Sequence, residues 1–262
     1  MRSKVICVTN QKGGVGKTTT AVSLAHGLAR KGKAVLLIDL DPQGHVATAL
    51  GMKPESGTFY LLTMGRTPQE MNFVHQWVRQ TGRENFWIIA GSQETMAAQT
   101  VMNAQNKLVS HIREAVTSLM VKSLANAKGF DYLIFDTAPS VGGIQERAIW
   151  AADLVLIPTA TEFLSTDGVK RISEMMVVLQ REKAWQGKLL GVLPTFYDEQ
   201  TRESASAIDD LHHGFREHVF QPIHRATVLR ECAAEGITIF EKDPRSRSAE
   251  EYRLLVDLVL KF

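Results

Sequence analysis

The sequence predicts an α/β fold with a doubly wound, mostly parallel sheet and helices on both of its faces. Short apolar runs bounded by turn residues alternate with stretches of helical periodicity. The runs are Val5 to Val8, Ala34 to Ile38, Trp87 to Ala90, Tyr132 to Phe135, Leu154 to Ile157 and Leu189 to Leu193. Runs that are apolar on both faces are what a parallel sheet covered by helices on each side requires. Ligands of such a sheet bind at the carboxyl ends of its strands.

Length and composition limit the class of protein. The chain has 262 residues, of which 44% are hydrophobic, and we expect one domain spanning residues 1–262. It has no run of about eighteen apolar residues and enters its first strand without a secretory leader, which predicts a cytoplasmic protein. Its two cysteines, Cys7 and Cys232, provide neither a disulfide framework nor a paired metal site, so we expect both to be buried packing residues. A net charge of +2 does not indicate nucleic-acid binding, which would need a local basic patch.

A glycine-rich segment follows the first strand and precedes a helical pattern. It reads Gln11-Lys12-Gly13-Gly14-Val15-Gly16-Lys17-Thr18-Thr19. Glycines let successive backbone N–H groups turn toward one anion, the Lys17 ammonium can reach the β- and γ-phosphates, and the Thr18 hydroxyl can bind Mg²⁺. The segment from Gly13 to Thr19 is therefore predicted to bind a nucleotide. The alternative is a strand-to-helix turn that binds nothing, and the Gly-Lys-Thr triplet in this context argues against it.

Two positions depart from the usual form of this loop. Gln11 stands where a glycine is usual, and Lys12 adds a second lysine at the mouth of the loop. A cation at Lys12 is poorly placed to serve the phosphate that Lys17 already holds, but it can reach across to a nucleotide held by a facing subunit. The sequence thus predicts a dimer. The alternative for Lys12 is an ordinary solvated loop lysine.

Three aspartates follow predicted strands. Asp39 and Asp41 end the second strand at a spacing that points both side chains to one side, where a carboxylate can orient water or organise Mg²⁺. Capping of nearby backbone N–H groups is the alternative for this pair. Asp136 ends a later strand and fits a carboxylate that holds the metal through a water molecule. The loops at residues 41–44 and 139–143 are predicted to move with the γ-phosphate.

On these residues the chain resembles the deviant Walker A ATPases and, within them, the ParA family of partition and positioning ATPases. The loop matches the family pattern KGG-x-GK-[ST]. Residues 35–44 resemble the family's second motif, residues 132–140 its Walker B strand and switch, and residues 243–252 its C-terminal signature. These motifs occur in the family's order, so the resemblance runs from end to end.

The resemblance implies a Mg²⁺-dependent ATPase that forms a homodimer around two ATP molecules. The dimer would bind DNA without sequence preference and be released when a ParB-like or adaptor partner stimulates hydrolysis. Its cargo would be a plasmid, a chromosome or a protein assembly, and its location the cytoplasm, in association with the nucleoid. The resemblance also implies that Lys12 stabilises charge during γ-phosphoryl transfer across the dimer. The resemblance further implies that Asp41 positions the attacking water and that Asp39 belongs to the metal shell.

The C-terminal third supplies the remaining candidates. Pro194 and Arg225 lie where relatives surround the adenine, and the lack of an Asn-Lys-x-Asp guanine motif after the Leu189 strand favours ATP. Related proteins bind DNA through this third, where the chain has Arg225, Arg230, Arg245 and Arg247. Acidic neighbours such as Glu231 and Glu235 dilute the basic content, so a salt-bridged surface is the alternative.

Residues 249–262, which are apolar almost all round, distinguish two interpretations. The main alternative is a MinD-like ATPase that cycles on a membrane, because MinD carries the same loop and holds the membrane through a basic terminal helix. Here acidic residues offset Arg253 and Lys261, so the segment lacks the cationic face that anionic lipid favours. We therefore expect core packing and no stable membrane anchor. A cluster-carrying relative is disfavoured because Cys7 lies within a strand.

Overall fold

The computed structural model describes residues 3–64, 67–121, 129–139, 143–161 and 166–262. Its strands are β1 (Lys4–Val8), β2 (Val35–Leu40), β3 (Arg79–Gln80), β4 (Phe86–Ile89), β5 (Tyr132–Thr137), β6 (Leu154–Ala160) and β7 (Lys188–Thr195). Its helices are α1 (Lys17–Arg30), α2 (His45–Ala49), α3 (Gly57–Thr63), α4 (Pro68–His75), α5 (Glu94–Ala104), α6 (His111–Val121), α7 (Ile144–Ala151), α8 (Thr166–Lys183), α9 (Arg202–Phe215), α10 (Thr227–Glu235), α11 (Ile239–Lys242) and α12 (Arg247–Val259), with a 3₁₀ turn at Arg216–His218.

Within these ranges the strands form one sheet in the order β3-β4-β2-β5-β1-β6-β7. Every neighbouring pair is parallel except β3 and β4. The register places both Val8 of β1 and Asp39 of β2 beside Asp136 of β5. Because these three strands end at one level, the loops that follow them meet at the same edge of the sheet.

Helices cover both faces of the sheet, which confirms the predicted doubly wound α/β fold. Along β1, Val5 and Cys7 pack into a core with α3 to α9, whereas Ile6 and Val8 pack into a second core with α1, α2 and α10 to α12. All four side chains are fully buried. The strand is apolar at every position because helices cover it on both sides.

The six predicted strands are all present, and β3 is an addition that the sequence does not predict. β3 has two residues and pairs antiparallel with β4 at the edge of the sheet. A strand of two residues is too short to show a periodic pattern, so the sequence cannot predict it. The segment from Gly57 to Glu84 has weak periodicity, and the sequence predicts no role for it; its described residues include α3, α4 and β3. Its aromatic rings pack on one another, with Tyr60 stacked on Trp77 at 5.0 Å between centroids.

The last helix packs into the core, as predicted. Tyr252, Leu255, Val256 and Val259 of α12 are buried. The approach of α12 to α1 is close, because a Cβ added at Gly27 would lie 2.4 Å from a Val256 methyl carbon. In the described part of the chain, no helix combines the length and the hydropathy that crossing a membrane requires. Both cysteines are buried free thiols, which confirms their predicted packing role.

Candidate nucleotide site

The glycine-rich loop joins the end of β1 to the start of α1. Gly14 and Gly16 have φ angles of 72° and 80°, in the left-handed region that a side chain disfavours. Gly16 is the N-cap of α1, and Gly13 and Gly14 are exposed. Without a capping side chain at Gly16, the first N–H groups of this fourteen-residue helix point toward the loop. Such a helix start favours an anion, as the nucleotide prediction requires.

Lys17 lies at the base of this loop. Its ammonium donates a hydrogen bond to the Lys12 carbonyl oxygen at 2.9 Å, across the turn of the loop. Burial lowers the pKa of Lys17, while the negative charges of Asp136 and Asp41 act in the opposite direction. The loop is also anchored from β7, because the Thr195 hydroxyl donates to a loop carbonyl, that of Val15, at 3.0 Å. The cation is thus buried in a loop of fixed shape.

Thr18 and Asp136 form the candidate metal site. The Thr18 hydroxyl donates to Oδ2 of Asp136 at 2.7 Å, and the other carboxylate oxygen, Oδ1, is buried without a hydrogen-bond partner. Burial raises the pKa of Asp136 to about 7, and the charge of Asp41 adds to this effect. A cation beside Asp136 would stabilise its charged form and satisfy the open oxygen. A hydroxyl next to a carboxylate therefore fits Mg²⁺, which usually keeps several waters and binds few protein ligands.

No group of three or more acidic, histidine or cysteine side chains that could hold a metal ion occurs among the residues that the structure describes. Mg²⁺ at nucleotide sites takes most of its ligands from phosphate and water. The fit to the metal thus rests on Thr18 and on the open oxygen of Asp136.

Asp39 and Asp41 lie together at the end of β2 but make different contacts. The two carboxylate oxygens of Asp39 accept the backbone N–H groups of Asp41 at 3.0 Å and of Val46 at 3.1 Å. Burial, and then the charge of Asp136, raises the pKa of Asp39 well above its ordinary value. These contacts are those of the capping alternative, and a role for Asp39 in the metal shell stays a prediction.

Asp41 lies at an open space between the first predicted switch loop and the residues that follow β5. One of its carboxylate oxygens accepts the Gln43 N–H at 2.9 Å. The residue lines a cavity of about 590 Å³ together with Pro139 and Gln145. Its role in positioning water stays a prediction. Of the second predicted switch loop, residues 140–142 lie outside the described ranges.

Lys12 is fixed through its backbone at the mouth of the loop. Its N–H donates to Oδ1 of Asn10 at 3.0 Å, and the Asn10 amide in turn donates to the Pro158 carbonyl of β6 at 2.8 Å. The Lys12 side chain is half-buried. Its predicted action on a facing subunit's nucleotide is not tested by the contacts within one chain.

A second cavity, of about 370 Å³, lies on the other side of the loop. Gly14, Gly16 and Thr19 line it from the loop, and Thr195, Phe196, Arg225, Leu229 and Arg230 line it from the C-terminal third. We refer to this space as the base-side cavity. Arg225 thus lies at a nucleotide-sized space beside the loop, although its contact with adenine stays a prediction. Pro194 lies one residue away from the lining, buried within β7, where its carbonyl accepts the Ile223 N–H at 2.9 Å.

The sequence did not single out Phe196. It directly follows β7 and takes a φ of 54°, a left-handed conformation that is uncommon for residues other than glycine. Its ring edge would lie 3.8 Å from a Cβ added at Gly16, which places the ring directly beside the loop. The only signal in the sequence is an aromatic residue at a strand end.

The four candidate DNA-binding arginines are all exposed. Arg225 and Arg230 line that cavity, and Arg225 and Arg247 line a neighbouring one. Arg245 lies in the turn before α12. The Arg247 guanidinium donates to Glu251 at 3.0 Å and to Glu199 at 3.4 Å, so it is at least partly neutralised. Contact of any of the four with DNA stays a prediction.

Comparison with known proteins identifies the family. The family model described as an AAA domain matches residues 3–188. The chromosome-partitioning ATPase Soj of Thermus thermophilus is 34% identical over 266 residues, an alignment that covers 99% of this chain and 97% of that protein. The chain belongs to the ParA/MinD family of ATPases. Its membership agrees with the predicted resemblance.

Further relatives extend this likeness along the whole chain. The chromosome partitioning protein ParA of Myxococcus xanthus is 30% identical over 255 residues, covering 96% of this chain and 86% of that protein. The ATP complex of a Cyanothece McdA variant shares the fold, with a TM-score of 0.85 at 22% identity, over 98% of this chain and 96% of that one. This ParA/MinD family member is therefore related to chromosome-partitioning ATPases and shares its fold with McdA.

Proposed function

We propose that the protein hydrolyses ATP with Mg²⁺, forms a homodimer around two ATP molecules and binds DNA without sequence preference in that state. A ParB-like or adaptor protein would stimulate hydrolysis and release the dimer from DNA, so that a plasmid, chromosome or protein assembly is moved or positioned. The observation that carries the proposal is the hydrogen bond of Thr18 to the buried Asp136, which keeps an open carboxylate oxygen, beside the Lys17 ammonium.

Within one chain, different residues would bind the phosphates, hold the metal and orient the water. The loop N–H groups and Lys17 would bind the β- and γ-phosphates, and Thr18 and Asp136 would hold the magnesium ion. Bound Mg²⁺ neutralises phosphate charge during transfer of the γ-phosphoryl group. Asp41, in its open cavity, would orient the attacking water.

Lys12 supports the dimeric form of this proposal. The cis phosphate already has Lys17 as its cation, and Lys12 is held by Asn10 at the rim of the loop, where a second copy of the chain can approach. A cation delivered from a facing subunit can stabilise charge on the transferring phosphoryl group, as an arginine finger does. Dimerisation would therefore complete each active site.

DNA binding would follow from the same dimerisation. Arg225 and Arg230 lie exposed beside the base-side cavity, and one chain offers few such cations. A dimer doubles the number of phosphates that can be contacted at once, which strengthens binding far more than twofold. The proposed location is accordingly cytoplasmic and nucleoid-associated. A MinD-like membrane cycle is less well supported, because α12 uses its apolar side for core packing.

A paired substitution of the two loop lysines tests the proposal. Lys17→Ala should abolish ATP binding, because the cis cation is lost. Lys12→Ala should keep most ATP binding but lose ATP-dependent dimerisation and hydrolysis. ATP binding is measured at equilibrium, dimerisation by size-exclusion chromatography with light scattering, and hydrolysis by phosphate release. Lys261→Ala is a control for loss of one positive charge at an exposed site. Normal ATP affinity in Lys17→Ala would refute the site, and unchanged ATP-dependent dimers in Lys12→Ala would refute action across the dimer.

A further inference from the structure

A compact cluster of three charged or polar side chains joins α12 to the wall of the base-side cavity. The His224 ring bonds to Glu251 through Nδ1 at 2.6 Å and to Arg247 through Nε2 at 2.6 Å. Arg247 also donates from Nε to the same Glu251 oxygen at 3.0 Å. The side chains of His224 and Glu251 are 15% and 10% exposed, so water competes little for the bond between them, whereas Arg247 lies at the surface with 57% of its side chain exposed. We call this group the His224 cluster.

Both nitrogens of the ring have a partner. The Glu251 carboxylate only accepts hydrogen bonds, so its bond is to a donating Nδ1–H. The Arg247 guanidinium only donates, so its bond is to an accepting Nε2. The ring is therefore held from both sides in this arrangement. The Tyr197 ring packs edge-on against it at 4.9 Å between centroids, which restricts the ring further.

The backbone around His224 is held as firmly as its ring. The second Glu251 oxygen accepts the His224 N–H at 3.0 Å. On either side, the Ile223 N–H donates to the Pro194 carbonyl and the Arg225 N–H donates to the Tyr197 carbonyl, both at 2.9 Å. The segment 223–225 is thus held between the end of β7 and α12. The same segment lines the base-side cavity, next to the phosphate loop.

We propose that Glu251 and Arg247 are positioning residues that hold His224 and Arg225 at the base-side cavity and so raise the affinity for ATP without touching it. The inference rests on the proposed ATP binding and deepens it. The inference also removes Arg247 from the candidate DNA-binding residues, because the N–H groups of Arg247 already donate to His224, Glu251 and Glu199. The two assignments of Arg247 predict different measurements.

The first experiment compares Glu251→Gln with Glu250→Gln in steady-state hydrolysis of ATP. Glutamine at 251 keeps the shape, and its single carbonyl oxygen can serve either the His224 ring and Arg247 or the His224 backbone N–H, but not both sites, because an NH₂ donor replaces the second acceptor oxygen. We expect the KM for ATP to rise about tenfold, with kcat at saturating ATP within about twofold of wild type. Glu250 lies one residue earlier on α12 and pairs outward with Arg253, so its substitution is matched in charge and helix and should leave both parameters unchanged.

Arg247→Ala and Arg247→Lys provide an independent comparison if the Glu251 variant folds poorly. Alanine should raise the KM for ATP as Glu251→Gln does, whereas lysine, which keeps a cation but not the fork of donors, should give an intermediate value. An unchanged KM in folded Glu251→Gln and Arg247→Ala would overturn the inference, as would a fall in kcat with unchanged KM. If the wild-type protein neither binds nor hydrolyses ATP, the proposed function itself fails, which is a distinct result.

The second experiment measures DNA binding at saturating ATP over a salt series. If Arg247 positions the cavity wall, Arg247→Ala should leave the slope of log affinity against log salt unchanged once ATP saturates. Arg230→Ala is the comparison, since each lost phosphate contact should reduce that slope by roughly 0.9. A reduced slope in Arg247→Ala at saturating ATP would place Arg247 on DNA and contradict the assignment.

Discussion

The three aspartates at the carboxyl edge of the sheet differ at the level of single atoms. Asp39 has a backbone donor on each oxygen, Asp41 has the Gln43 N–H on one, and Asp136 has the Thr18 hydroxyl on one and no partner on the other. Three aspartates at one edge of the sheet therefore differ in how many of their carboxylate oxygens accept hydrogen bonds within the protein. We expect Asp39 to shape the loop, and Asp41 and Asp136 to act on ligands.

These contacts predict different effects for substitutions at Asp41 and Asp39, one on catalysis and the other on stability. Asp41→Ala should slow ATP hydrolysis while keeping ATP binding, so that an ATP-bound dimer accumulates. Asp39→Ala should instead lower the free energy of unfolding by about 1–3 kcal/mol, because it leaves buried N–H groups unpaired. Phosphate release and denaturant unfolding of both variants separate the effects. A wild-type hydrolysis rate in Asp41→Ala would assign the water to another residue.

At the scale of elements, α1 is joined to α11 through a buried histidine. His26 of α1 bonds to the Thr238 hydroxyl, the N-cap of α11, at 2.6 Å and lies between the rings of Phe86 and Phe240. Burial lowers the pKa of His26 from 6.5 to about 4. The unfolded chain therefore takes up the proton before the folded protein does as the pH falls.

The sign of this shift makes stability depend on pH. Below pH 6.5 the unfolded state binds more protons at His26, so the free energy of unfolding should fall by about 2 kcal/mol from about pH 7 to about pH 5 through this residue. His26→Gln should remove that part of the pH dependence. His213→Gln, at an exposed position on α9, is the control and should leave it intact. Denaturant unfolding at both pH values measures it, and an equal pH dependence in His26→Gln and wild type would contradict this account.

Elements and site differ in how far the sequence predicts them. The strands and the loop from Gly13 to Thr19 are predictable because their patterns lie within a few consecutive residues. β3 is not, since two residues carry no period. The His224 cluster cannot be predicted either, because Glu251 and His224 are 27 positions apart and meet only when α12 packs against the segment 223–225. Contacts between residues that are far apart in the sequence leave no pattern in either segment. Phe196 and Glu251 were therefore not predicted to lie at the site.

At the scale of the whole molecule, the sheet order brings the nucleotide loop and the candidate DNA surface close together. The loop after β1 lies centrally, while β6 and β7 lead to the segment that carries Arg225 and Arg230. Both arginines line the cavity that the loop also lines, so a nucleotide and the arginine-bearing segment would share one space. This proximity supports the proposal that nucleotide state controls DNA affinity in this ParA/MinD family member.

The most direct test is the affinity for unrelated DNA duplexes with ATP, with ADP and without nucleotide, measured across a salt series. We expect tight binding with ATP alone, equal for all duplexes. The dependence on salt should be steep, with a slope of roughly 0.9 for each phosphate contacted. Lys17→Ala should remove the difference between nucleotide states. Binding that is equal in ATP, ADP and nucleotide-free conditions, or that prefers one sequence, would contradict the account.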